Sequence, residues 1–291
     1  MPMQYQNSAA FRRALEDRLR RQAVASGTPL ARLRKMVAFE RFLARLVAAQ
    51  PDAWALKGGL ALQFRLRERA RTTQDIDLLF RLSLPATEIH QRLVSAALGD
   101  MGDGFTFEVA RPERDAELRF PVRSLLDGRL FEAFHVDVGI GDPLFEPPEM
   151  LTAPSLLEFA EIPPVSIPSY PLSQQIAEKV HALTRPYASG ESSRVRDWVD
   201  ILLMAHWEGL RSETLRRALQ AAFETRATHP LPPQMPSPPA SWARPFRRLC
   251  EQTGLEYASL DEAVQAMRRF LDPVLSGQSA ERWNPILWQW E

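Results

Sequence analysis

Apolar residues recur every three to four positions from Ala9 to Ala25 and again from Pro29 to Ala49. That spacing predicts two amphipathic helices parted by Gly27-Thr28. At Trp54 the period changes. Trp54-Ala55-Leu56-Lys57 predicts a short buried strand, Gly58-Gly59 a tight turn, and Leu60 to Arg67 a helix. Asp75 to Phe80 reads as a second strand, and Pro85 to Leu98 as a helix with proline in its first turn. Phe105 to Ala110 is strand-like. Leu118 to Leu126 and Leu130 to Ile140 alternate around Asp127-Gly128, the strongest hairpin signal in the chain. Leu156 to Ile167, interrupted by Pro163 and Pro164, belongs at a sheet edge or in a loop.

Beyond Tyr170 the pattern turns helical, over Ser173–Thr184, Arg194–His206, Ser212–Thr225 and Ser259–Leu275. Seven prolines between His229 and Phe246 predict an extended connection and no folded element there. The expected architecture is α+β, a mixed sheet flanked by helices with a helical C-terminal half. Three regions follow: basic N-terminal helices over 1–50, a core over 51–170, and a helical region over 171–291. At 291 residues the chain holds one elaborate domain or two small ones.

Composition narrows this only a little. Hydrophobic content of 45% and charged content of 25% are those of an ordinary globular protein. No apolar run is long enough to span a membrane, and the N-terminus MPMQYQNSAAFRR lacks a secretory pattern. A single cysteine, Cys250, excludes an internal disulfide and a multi-cysteine zinc site. The expectation is a cytoplasmic protein without a membrane partner. Net charge is zero, but Phe11 to Arg45 carries ten Arg or Lys against three acids. That surplus is either a solvated helical face or a surface for a phosphate backbone. Lysine is scarce: Lys35, Lys57 and Lys179 stand among 36 basic residues. A compact ammonium approaches phosphate as a point charge, whereas guanidinium prefers planar, bidentate partners.

The candidate chemistry lies in WALKGGLALQFRLRERARTTQDIDLLF, Trp54 to Phe80. On a strand Asp75 and Asp77 share a face, about 7 Å apart at Cα. Their repulsion calls for a cation, and Mg²⁺ is held by one or two carboxylates with phosphates and waters completing the octahedron. A bare Asp-x-Asp can equally be an exposed sheet end. Gly58-Gly59, between strand and helix, suits a phosphate cradle made of backbone N–H groups. Asp137 is flanked by valines in FHVDVGI, where a lone carboxylate is costly to bury. If that strand lies beside Asp75 and Asp77, three carboxylates converge for metal-assisted displacement at phosphorus. Arg71 and Thr73 stand just upstream, positioned to touch a triphosphate. On the later helices Lys179 sits among Ile176, Val180 and Leu183, and Asp197 lies near Ile201 and Met204. Arg196 and Asp200, four apart, suit a surface ion pair; the whole segment also reads as two packed helices with incidental charges.

In this order LKGGLAL, RTTQDIDLLF, FHVDVGIGDP, EKVHALTR and SRVRDWVD resemble the AbiEii/AbiGii-type nucleotidyltransferase toxins, over about Trp54 to Met204. The resemblance implies the nucleotidyltransferase superfold and transfer of a nucleotide from an NTP to an RNA acceptor, the 3′ end of tRNA foremost, with pyrophosphate released. It implies Mg²⁺ (or Mn²⁺) on Asp75, Asp77 and Asp137, and catalytic roles for these three with Lys179 and Asp197. It also implies nucleotide contacts at Lys57, Gly58, Gly59, Lys179, Arg194 and Asp200, and a C-terminal region that completes the active site. A cognate antitoxin encoded nearby is the implied partner. Leu60 stands where many relatives carry Ser or Thr. Alternatives left open are a metal-dependent nuclease or phosphodiesterase, a small-molecule (antibiotic) nucleotidyltransferase, and a non-catalytic binding module.

Overall fold

The computed structural model describes residues 5–67, 72–112, 118–154, 156–186, 194–207 and 209–291. They fall into two units. One comprises Met1–Arg65, Thr72–Pro143 and Pro148–Ser169; the other comprises Leu66–Arg71, Leu144–Pro147 and Tyr170–Glu291.

The first unit is built on a seven-stranded mixed sheet. In chain order its strands are β1 (Trp54–Lys57), β2 (Ile76–Phe80), β3 (Phe105–Val109), β4 (Arg119–Leu126), β5 (Arg129–Ile140), β6 (Glu149–Thr152) and β7 (Ser166–Ser169). Their spatial order is β3-β4-β5-β2-β1-β7-β6. Asp127 and Gly128 both have positive φ, 55° and 63°, as the two-residue turn between β4 and β5 requires. β2 runs antiparallel to β1 and parallel to β5, so residues distant in sequence meet at the sheet centre.

One face of this sheet is apolar. Leu56, Ile76, Leu78, Phe80, Phe120, Phe134, Val136 and Val138 join the core with helices α1 (Ser8–Ser26), α2 (Leu30–Ala49) and α4 (Ala86–Ala97). Phe39 and Phe42 of α2 meet the Phe134 ring edge-on at 5.0 and 5.8 Å. Period-2 alternation sends the intervening residues Lys57, Asp77, Arg119, His135 and Asp137 to the opposite face. The short helix α3 (Gly58–Leu66) follows β1 without a linker, so the two glycines are its first residues and not a separate turn before it.

The basic surplus of the first helices is divided: Arg13, Arg18, Arg20 and Arg21 are exposed, while others are engaged within the protein. Arg45 is buried, donating to Asp103 at 2.7 and 3.0 Å and to the Phe105 carbonyl at 2.7 Å. Arg41 is buried beside Glu40 and Asp103. Arg34 bonds Glu16 and the Phe131 carbonyl, and Arg12 donates to the carbonyls of Leu126, Arg129 and Leu130 around the hairpin. These arginines tie the helices to the sheet.

In the second unit, α5 (Leu172–Thr184), α6 (Val195–Met204), α7 (Ser212–Arg226), α8 (Ala243–Thr253) and α9 (Leu260–Ser276) form a helical assembly. α8 begins inside the proline-rich stretch expected to be unfolded. Its Pro245 lies in the first turn, where a missing N–H breaks no helical bond. A small hairpin, β8 (Trp283–Asn284) with β9 (Gln289–Trp290), was also not expected. Its indoles are anchored: Trp283 donates to the Ala205 carbonyl and Trp290 to that of Phe270. In the first unit, the run Leu156 to Ile167 resolves into a 3-10 turn at Glu158–Ala160 and the start of β7.

Among the described residues, no helix is long and apolar enough to cross a membrane.

Candidate active site

The face of the central strands opposite the apolar core collects the expected residues of the first unit. Lys57 stands opposite Asp77 in the β1–β2 ladder, Asp77 opposite Asp137 in β2–β5, and Asp137 opposite Arg119 in β4–β5. Directly paired residues share a face, so these four form one row across four strands. Asp75 and His135 stand one side-chain step along, with His135 Nδ1 3.3 Å from Asp75 Oδ1.

Gly58 closes the row against α3. Its φ is +66°, and a Cβ built there would lie 2.0 Å from Asp77 Oδ2. Only glycine admits both the backbone conformation and the carboxylate. Asp77 therefore rests against the first residue of a helix, the end whose dipole favours negative charge. Gly139 has the same permissive role for Lys57, whose ammonium sits 2.5 Å from where a Cβ would be. That ammonium also pairs with Asp142 at 3.8 Å. Gly59 is buried within α3.

Arg119 is the main cation of this face. Its Nη1 donates to Asp137 Oδ2 at 2.8 Å and its Nη2 to Asp75 Oδ2 at 3.0 Å. One planar group spans two carboxylates carried by different strands. Burial raises the Asp137 pKa above the usual carboxylate range and the Asp75 charge adds to this, while Arg119 and His135 pull the other way without cancelling it. Burial alone would lower the Arg119 pKa; the carboxylates of Asp137 and Asp75 outweigh it and hold the guanidinium still more firmly charged.

Convergence of three carboxylates on one empty point is not what the side chains adopt. Among the described residues, no three His, Cys, Asp or Glu side chains are gathered in a group that could hold a metal ion. The reason is local: Arg119 fills the space between Asp75 and Asp137, and Asp77 packs on Gly58. The donors themselves fit a hard divalent cation, being carboxylate oxygens that share one face of neighbouring strands. The guanidinium stands where a cation is needed.

Other expected contacts are placed differently. Thr73 is buried and its hydroxyl donates to the Asp75 carbonyl at 3.3 Å, which supports the Asp75 loop. Arg71 lies outside the described residues. Arg119, His135, Gly139 and Asp142 were not singled out from the sequence. His135 carried a signal, since it is two residues from Asp137 and must share its face. Arg119 carried none, for a reason of register. A β-bulge between Ser124 and Leu125 shifts the β4–β5 pairing by one, without which Leu118 would oppose Asp137.

The second unit holds its own cluster. Lys179 Nζ donates to Asp197 Oδ1 and to Asp200 Oδ2, each at 2.7 Å, and Arg194 Nη1 donates to Asp197 Oδ2 at 3.1 Å. The Asp200 side chain is fully buried, so it is the partner of Lys179 and not of Arg196 on a surface. Burial would raise the Asp197 pKa, but Lys179 and Arg194 hold it below the usual range. Among the residues named for nucleotide contact, Asp200 acts in this unit as the buried anchor of the lysine.

Comparison with other proteins bears on what this arrangement belongs to. A family model described as the nucleotidyl transferase AbiEii toxin of type IV toxin–antitoxin systems matches residues 41–287. The fold is similar to that of MenT4, nucleotidyltransferase toxin Rv2826c from Mycobacterium tuberculosis H37Rv. That match has a TM-score of 0.56 at 18% identity and covers 90% of this chain and 98% of that one. JHP933 from Helicobacter pylori matches at TM-score 0.44 and 15% identity, over 84% and 94% of the two chains. None of the curated proteins matches the sequence. Matched by the family model over most of its length, the chain belongs to the AbiEii family: it is a nucleotidyltransferase, a toxin of the type IV toxin–antitoxin class, which implies a cognate antitoxin.

Proposed function

We propose that this nucleotidyltransferase carries a nucleotide from an NTP to an RNA acceptor, the 3′ end of tRNA, and releases pyrophosphate. The row of Lys57, Asp77, Asp137 and Arg119 beside Gly58, on the sheet face opposite the core, is the observation that supports this best. Asp75, Asp77 and Asp137 are the residues that would hold Mg²⁺ or Mn²⁺. Such an ion supplies positive charge against phosphate oxygens.

The chain's own contributions follow from chemistry at named atoms. An acceptor hydroxyl attacks the α-phosphorus, and the bond to the leaving pyrophosphate breaks as the new P–O bond forms. The hydroxyl proton goes to Asp137, a carboxylate of the row that is partly open to water. The N–H groups at the start of α3 receive phosphate oxygens, the habit of a helix N-terminus. Lys57 neutralises charge on the triphosphate. Lys179, Asp197 and Arg194 enter as the nucleotide-contacting set that the family motifs assign, with Asp200 fixing Lys179.

The deciding experiment incubates the protein with each of four NTPs labelled at the α-phosphate, Mg²⁺ and total RNA. Label joined to tRNA supports the reading, and Asp77→Asn abolishes it. Shortened RNA without incorporated label points to a nuclease instead. Label on a small acceptor such as an aminoglycoside, with RNA untouched, points to an antibiotic-modifying enzyme.

A further inference from the structure

Two carboxylates of a site meant for a divalent cation are already bridged by a side chain. Arg119 reaches Asp75 and Asp137 with separate nitrogens, at 3.0 and 2.8 Å. The planar guanidinium meets the two carboxylates with two different nitrogens, where an ammonium would have to meet both with one. Nothing about Arg119 makes this grip permanent. Its side chain is 44% exposed, so the guanidinium already reaches water and can leave without crossing the core. Exposed ion pairs of this kind are weak, about 0–1 kcal/mol, and are exchanged readily. Its place in the row depends on the bulge between Ser124 and Leu125, which brings an arginine opposite Asp137 instead of a leucine.

From this we infer that Arg119 is a displaceable internal counter-ion of the metal site: it neutralises Asp75 and Asp137 until a divalent cation takes its place. The inference rests on the metal-dependent reading above. Arg119 is thus a positioning residue that sets the affinity of the site for the ion. Without it Asp75 and Asp137 would face each other with no cation between them; the guanidinium relieves that repulsion. Ion entry then costs the breaking of two hydrogen bonds. Apparent affinity falls by the fraction of time the bridge is open, so a bridge worth about 1 kcal/mol, closed about five-sixths of the time, weakens binding about sixfold.

Mn²⁺ alone is the probe, followed on the full chain by the electron paramagnetic resonance signal of the free ion and by titration calorimetry. Arg119→Ala is expected to bind Mn²⁺ about sixfold more tightly than the unaltered protein. Arg119→Lys keeps the charge but offers one nitrogen in place of two, and should fall between the alanine variant and the unaltered protein. Arg123→Gln removes another arginine of β4, one that pairs with Glu108 at 2.7 Å, and should leave Mn²⁺ affinity unchanged. Equal or weaker binding in Arg119→Ala overturns the inference while leaving the metal site standing. A gain in Arg123→Gln matching that in Arg119→Ala, or Arg119→Lys matching the unaltered protein, also overturns it, since general charge then explains the effect. Failure of every form to take up Mn²⁺ removes both the counter-ion and the metal-dependent reading.

Discussion

The two acid clusters use the same chemistry in opposite ways. Arg119 with Asp75 and Asp137 lies open, the three side chains being 44%, 26% and 33% exposed. Lys179 with Asp197 and Asp200 is closed, at 11%, 13% and 0%. Water screens the first cluster and lets its cation be replaced. The second is largely shut off from water, so its lysine is held on a fully buried carboxylate. Similar distances, 2.7 to 3.0 Å, therefore mean different things. Environment decides whether an ion pair is a fastener or an exchangeable occupant.

The sharpest way to break this contrast is to remove each cation. Lys179→Met leaves Asp200 charged and buried without its lysine, and should destabilise the second unit by about 3–5 kcal/mol in urea denaturation. A loss below about 1 kcal/mol would mean Asp200 finds solvent or another donor. On the open face the large effect is on rate. Asp137→Asn should lower nucleotide transfer by about 10²–10⁴-fold with the fold unchanged by circular dichroism, the range removed with a general base. A variant retaining near full rate assigns the proton transfer to another group.

The buried titratable groups extend the comparison to pH. Burial, the largest influence, raises Glu40 in the first unit to about 7, against the lowering effect of Arg41. Its folded value exceeds its unfolded one, so its stabilisation is complete below about 4.5 and lost as pH rises through 7. His181 in the second unit behaves in reverse. Burial, then Arg226 and His229, lowers it to about 4, so its contribution is complete above 6.5 and lost as pH falls toward 4. Hydrogen exchange resolved by unit, between pH 4.5 and 7.5, should show the first unit gaining protection on acidification and the second losing it. Each shift corresponds to about 1–3 kcal/mol, and Glu40→Gln should flatten the response of the first unit alone. Parallel responses in both units would refute these assignments.

Smaller effects separate backbone from charge. Gly58→Ala must place a Cβ within 2.0 Å of Asp77 Oδ2 at φ +66°, costing about 1–2 kcal/mol in backbone conformation and moving the carboxylate. Transfer should fall well beyond what the stability loss explains; an unchanged rate would separate Gly58 from the chemistry. Arg119→Ala should change stability by no more than about 1 kcal/mol, the smallest effect here and the counterpart of Lys179→Met.

Much of the site was legible before any coordinates. Two carboxylates at i and i+2 within an apolar run must share a face, and the Asp127-Gly128 turn announced the hairpin that carries Asp137. Gly58 was legible as a special backbone position, though the chain uses it as the first residue of α3. The arginines of α1 and α2 misled because charge patterns do not reveal partners: Arg45 is neutralised by Asp103, 58 positions away. Asp200 misled in the same manner, its spacing from Arg196 suggesting a surface pair while its side chain turned inward to Lys179. α8 was hidden because prolines signal a break, yet one in the first turn of a helix costs nothing.

By itself the sequence determined the alternation that separates a core face from a polar face, and the motifs that carry family membership. Both are local, set by strand period and residue type. Only the tertiary structure decided that Arg119 faces Asp137 and that Lys179 closes on Asp200. Strand register depends on a single extra residue of β5, Phe131, opposite the Ser124–Leu125 step, and a buried partner is fixed by packing between helices; neither leaves a mark in the spacing of residues along the chain.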